Sequence, residues 1–458
     1  MRSDQFGYEM SITSPEAAKA WDAMVMAFLA HAARTPEYLG AALKEAPDFA
    51  MAHATKGLFF LMLGRRELTE TAQDAFVAAK AAADASSQTE REMGYVRALG
   101  AWLDGHPSRS IHEMETILKH CPEDALAMKI SHAIRFILGD SAGMRRSVEA
   151  VLTAYDTKHP ARGYLFGCHA FSLEETGEYA RAETAGRMGL SLVSDDAWGL
   201  HAVAHVHDMT GNSKAGLDWL TGRENAWAHC NNFRYHVWWH KALMHLDQGE
   251  IDTVFALYDS QIRKDQTDDY RDISNATSLL SRLELEGVDV GNRWEELADL
   301  SERRTEDGCL VFADLHYLLA LIGGDRKQAV QDMLARLHRD AKATSESEMK
   351  ARMATPGLSA ATGLEAFGEG DYKTAFYNLG RARHNMQMAG GSHAQRDVFE
   401  RLTIDAAIRG GFLEDAEAIL RERTAQRAGR QDNYAAVRMD LISASRGNWN
   451  QADRLPAE

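Results

Sequence analysis

Gly177-Glu178-Tyr179-Ala180-Arg181-Ala182 has two counterparts further along the chain: Gly370-Asp371-Tyr372-Lys373-Thr374-Ala375 and Gly447-Asn448-Trp449-Asn450-Gln451-Ala452. Each couples a glycine to an aromatic residue two positions on and an alanine five positions on. Glycine lets a helix end in the left-handed conformation. A small residue then allows the next helix to cross close to the first. Tetratricopeptide repeats use this pattern at a period of about 34 residues.

Working outward from these stretches, one turn glycine recurs along the chain: Gly64, Gly105, Gly139, Gly177, Gly211, Gly249, Gly287, Gly324, Gly370, Gly411 and Gly447, at intervals of 34 to 46 residues. Five positions after seven of these eleven lie Ala182, Gly216, Val254, Ala329, Ala375, Ala416 and Ala452. The spacing predicts an all-α, TPR-like right-handed α-α superhelix of about eleven helix-turn-helix units. One continuous domain over 1–458 is expected, with a lengthened loop around 340–358. A helix pair cannot bury its apolar stripe alone, so neighbours stack. First helices are expected to line a deep concave groove.

Composition agrees. Proline is scarce, 8 of 458 residues, so many short strands with proline-rich turns are excluded. Lys and Arg number 51 against 67 Asp and Glu, a net charge of −16. An acidic protein of this kind is not expected to bind nucleic acid or an anionic membrane surface. Cys121, Cys168, Cys230 and Cys309 are far apart, which fits neither a zinc module nor a disulfide framework. The opening Met1-Arg2-Ser3-Asp4-Gln5 is not followed by a signal-type apolar run. The apolar windows Leu58–Leu63 and Leu315–Ile322 are too short to span a bilayer. A cytoplasmic location is expected.

Histidine is concentrated in two neighbouring units. His201 and His205 are four apart on one predicted helix, and His236 and His240 four apart on the corresponding helix, 35 residues later. Residues i and i+4 share a helix face, and packed helices lie about 8–10 Å apart. The four imidazoles are therefore expected to converge. The preceding unit adds Cys168, His169 and Glu174 at a similar level. Two chemistries are open at this spacing: a single transition-metal ion such as Zn, or a metal-free acid–base cluster. On either reading His201, His205, His236 and His240 are the candidate catalytic residues. Packed core histidines, with Trp198, Trp238 and Trp239 around them, are the plain alternative. His207 and His245 fall off the paired faces.

Gly390-Gly391-Ser392-His393-Ala394-Gln395-Arg396-Asp397 carries a capping box, Ser392 with Gln395, at a helix start. Such a start, with Arg396, suits a carboxylate or other anion. A capped helix whose Arg396 and Asp397 bridge to neighbours is the plainer reading of the pattern. No P-loop, G-x-G-x-x-G, G-x-S-x-G or H-E-x-x-H motif occurs.

At these residues the chain resembles the tetratricopeptide repeat protein 38 family. The matching stretches are Asp196-Ala197-Trp198, His201 to Met209, His236-x-x-Trp239-His240-x-Ala242-Leu243, Glu286 to Trp294 and Gly390 to Phe399. The resemblance implies an all-helical repeat protein and brings no settled activity with it. It marks His207, Trp239, Ser392, Gln395, Arg396 and Asp397 as pattern positions, together with the four cluster histidines. His393 departs from the pattern. Two functions are expected: binding of a small polar molecule or peptide in the groove, or an enzyme of hydrolase, lyase or metal-redox type centred on the histidines. Self-association into a homo-oligomer is compatible with either.

Overall fold

The computed structural model describes residues 1–452, with side chains up to Arg446. Apart from the two-residue strands Arg2–Ser3 and Glu9–Met10, the regular structure is helical. Among the described residues, eleven helix pairs follow one another from Pro15–Leu29/Thr35–Glu45 to His393–Gly410/Leu413–Gln426, and the helix Asn433–Ala452 ends the series. This is a TPR-like α-α superhelix. No helix among the described residues is long and apolar enough to cross a membrane.

The turn glycines behave largely as the spacing predicts. Gly64, Gly105, Gly139, Gly177, Gly211, Gly249, Gly287, Gly370 and Gly411 all have positive φ. Two readings need correction. At Gly324 the left-handed residue is Asp325 (φ 54°), so the turn falls one residue later and Val330, rather than Ala329, is the buried crossing residue. Gly447 makes no turn, because Asn433–Ala452 runs through it as one helix; the side chains of Trp449 and Ala452 lie outside the described residues. The pair missing from the glycine series is the first, whose turn contains the positive-φ residue His31 (φ 55°). The segment 340–358 is also no simple loop. It contains the helix Glu348–Arg352, and Glu348 N donates to Gly105 O at 3.0 Å.

First helices lie inside. Nearly every residue of Arg162–Glu174, Ala197–Met209 and Val311–Gly323 is buried. Close approach of Arg162–Glu174, Tyr179–Leu192 and Ala197–Met209 depends on glycine: a Cβ at Gly186 would crowd Gly199 O and Val203, and one at Gly189 would crowd Gly163 O and Asp196. This close packing helps bring Glu174 beside His205.

The superhelix closes on itself across the concave side, a point the repeat spacing leaves open. Turns of early units meet residues far along the chain, in order. Arg66 Nη1 donates to Glu306 O (3.2 Å), Gln387 Nε2 to Gly139 O (2.9 Å) and Tyr179 OH to Gln426 O (2.6 Å). Further along, Arg427 Nη2 donates to Asp208 O (2.6 Å) and Asn433 N to Asp247 Oδ1 (2.9 Å). This seam satisfies orphan carbonyls at helix ends and leaves a cavity beside the histidine-bearing helices.

Candidate functional site

The helices Ala197–Met209 and Phe233–Asp247 carry the two histidine pairs. Asp196 caps the first, accepting from Gly199 N at 3.1 Å, which sets the angle at which it enters the stack. All four Nε2 atoms turn inward. His205 Nε2 lies 2.9 Å from His201 Nε2, His201 Nε2 3.0 Å from His236 Nε2, and His236 Nε2 3.2 Å from His240 Nε2. His201, His205 and His240 are buried, and His236 is partly exposed at the edge.

The outer nitrogens are partly engaged. His236 Nδ1 lies 3.1 Å from Asn275 Oδ1, which also accepts from Gln395 Nε2 at 3.3 Å. His205 Nδ1 faces Glu174 Oε2 at 3.4 Å, and Glu174 is fully buried. Both contacts favour the proton on Nδ1 and leave the Nε2 lone pair pointing inward. Burial holds His201 and His240 well below the ordinary imidazole value and His236 at about 3, with the neighbouring histidines adding to each shift. Burial pushes His205 down as well, but the Glu174 carboxylate outweighs it and the net shift is upward.

These inner contacts cannot all be hydrogen bonds. An imidazole Nε2 has one in-plane lobe, which either donates or accepts, yet His201 and His236 each face two partners. One cation at the centre would satisfy all four lone pairs. Ligand bonds of about 2.0–2.1 Å to a shared ion place neighbouring nitrogens about 2.8–3.0 Å apart in a square plane and about 3.3–3.4 Å apart in a tetrahedron. The observed 2.9–3.2 Å fits that span. The buried Glu174 carboxylate would offset part of the ion's charge.

Aromatic rings wall the cluster. Phe171, Trp198 and Phe233 lie 5.6, 5.0 and 5.1 Å from the His201 ring, and Trp239 stacks on His236 at 5.3 Å. On the side of His201 and His236 the wall opens into a cavity of about 310 Å³, at the small end of ligand sites. Ser392 and Gln395 line it too, brought there by the capping box in which Ser392 N donates to Gln395 Oε1 at 3.0 Å.

The other residues singled out in the sequence sit elsewhere. His169 pairs with Glu149 at 3.3 Å. His207 packs where Gly216 leaves room for it, with its Nε2 unpartnered. Arg396 donates to the carbonyls of Gly390 and Gly391 and lies 3.5 Å from Glu175. Asp397 is held by Arg401 and Arg423. The anion expected at the Ser392 helix start is supplied by the chain itself: His393 N donates to Glu175 Oε1 at 2.8 Å. Glu175 comes from 218 residues upstream, across the seam, where no repeat spacing could reveal it. Asn275, 39 residues after His236, was missed as well.

The fold is that of TPR-like helical-repeat proteins. No family model matches the chain. It is similar to the human IFIT1 dimer solved with PPP-AAAA, at a TM-score of 0.40 and 13% identity over 96% of this chain and 97% of that one. It is also similar to Naa15/Naa10 bound to HypK-THB, at a TM-score of 0.25 and 13% identity over 88% and 68%. At these values neither likeness bears on function.

Proposed function

We propose that the protein binds one first-row transition-metal ion, such as Zn, on His201, His205, His236 and His240, and acts on a small molecule held in the adjoining cavity. The convergence of four Nε2 atoms that cannot satisfy one another carries this reading. When bound, such an ion supplies Lewis-acid polarisation or ionises a water. The chain's own residues do the rest. Glu174 and Asn275 orient two imidazoles, Phe171, Trp198 and Phe233 exclude water, and the edge formed by His201 and His236 faces the ligand. A metal-free acid–base cluster is less well supported, because burial keeps three of the four imidazoles far below neutrality. The motifs His201–Met209, His236–Leu243 and Gly390–Phe399 each contribute residues to this site or its cavity, which supports membership of the tetratricopeptide repeat protein 38 family.

The test uses the outer contact. Asn275→Ala removes the group that holds His236 Nδ1 and is expected to weaken Zn(II) affinity about 10–100-fold, measured against a competing chelator. Glu174→Gln should weaken it in the same direction. Unchanged affinity in both variants would contradict the reading.

A further inference from the structure

The cavity contains a buried cation that the proposed metal centre does not use. Lys129, on the helix Ala125–Leu138, is 4% exposed and lines the cavity wall. Its Nζ lies 3.8 Å from Cys168 Sγ and 4.4 Å from the centroid of Trp198. Among the described residues it forms no ion pair. The buried Asp196 caps its own helix with Oδ1 through Gly199, and its Oδ2, without a hydrogen-bond partner, is not within ion-pair distance of Lys129. An ammonium left in an aromatic pocket without a carboxylate is costly.

Two further groups stand beside it. His132, with both ring nitrogens unpartnered, and His31, with Nε2 unpartnered, pack on Trp198 at 5.8 and 5.2 Å, and both line the same cavity. Trp198 thus packs against Lys129, His31 and His132 and also against the His201 ring. Phe28, Phe59, Phe136 and Phe312 make up much of the remaining wall.

We infer that the cavity takes a small carboxylate with an aromatic or aliphatic body, its anionic group on Lys129 and its far end against the His201–His236 edge. The inference rests on the proposed metal centre for what meets that far end. Arg271 also lines the cavity but is already paired with Asp269, so the anionic head is set by Lys129. One ammonium with neutral imidazoles matches a monoanion, whereas a phosphate group is ordinarily held by several cationic side chains or an arginine fork.

The probes are 3-phenylpropanoate and its isosteric amide, 3-phenylpropanamide. Each is titrated calorimetrically into full-length protein, first stripped with chelator and then loaded with Zn(II). Stripped wild type is expected to prefer the acid about tenfold or more, the range of a charge-assisted hydrogen bond. Lys129→Met should abolish that preference while melting no lower than wild type, since it removes an uncompensated buried charge. Lys129→Arg should retain part of the preference. Equal binding of acid and amide by the stripped wild type would overturn the inference, as would an acid preference that survives in Lys129→Met. Metal content measured on the same samples separates the two readings. Acid preference in a protein that takes up no Zn(II) would sink the metal centre and leave the anion site standing.

Discussion

His240→Ala is expected to cut Zn(II) affinity by more than about 100-fold, exceeding the 10–100-fold typical of losing an outer contact to a metal ligand. His240 is fully buried, and its Nε2 is 3.2 Å from that of His236. Glu174 is not placed to replace it, because it faces the Nδ1 side of His205. Stability should register the same loss. Free ion at 100 times its dissociation constant stabilises a folded protein by about 2.7 kcal/mol. Wild type should therefore resist urea better with Zn(II) than without it, and His240→Ala should not. His207→Ala is the control. His207 lies on the same helix but outside the cluster, so it should keep the metal response. A His240→Ala variant that binds Zn(II) as tightly as wild type would remove the four-nitrogen centre.

The second large effect is expected at the seam. Arg423 joins the buried Asp432 to the half-buried Asp397, with Nε 2.6 Å from Asp397 Oδ1 and Nη2 2.6 Å from Asp432 Oδ2. Arg401 and Arg427 flank the same acids, and Arg427 crosses to Asp208 at 2.9 Å. Breaking a buried network by removing one partner costs about 3–5 kcal/mol, because the charges left behind remain desolvated. Arg423→Ala should lose stability on that scale in urea unfolding at pH 7. The pH dependence has a definite sign. Burial alone would raise Asp397 and Asp432, but the arginines, Arg423 foremost, hold both below the ordinary carboxylate value. A depressed carboxylate stabilises the fold above its unfolded value, near 3.9, and that contribution fades as pH falls toward the folded value. The gap between wild type and Arg423→Ala should thus be constant near neutrality and narrow below about pH 4. A gap that widened in acid would contradict the assignment.

Much of this was legible in the residues. Nine of the eleven turn glycines occupy the left-handed region that a helix-turn-helix array requires. Two turns use other residues. His31 takes positive φ in the first turn without being glycine, and Asp325 takes it one residue after Gly324. A pattern built on glycine sees neither. The two histidine pairs met because an i,i+4 face repeated after 35 residues survives stacking. Lys129 and Asn275 escaped notice because one lysine or asparagine on a helix carries no pattern of its own. The closed seam lay beyond reach for another reason. Glu175 with His393, and Asp208 with Arg427, are 218 and 219 residues apart. Contacts between successive winds depend on the superhelical pitch, whereas the repeat period describes only neighbours.

X-ray absorption at the metal edge, on full-length protein loaded with one equivalent of Zn(II), addresses the four-histidine centre most directly. The account predicts about four imidazole nitrogens near 2.0–2.1 Å, with that shell reduced in His201→Ala. A spectrum dominated by water or carboxylate oxygens, or by sulfur, and unaltered in His201→Ala would place the ion elsewhere and contradict it.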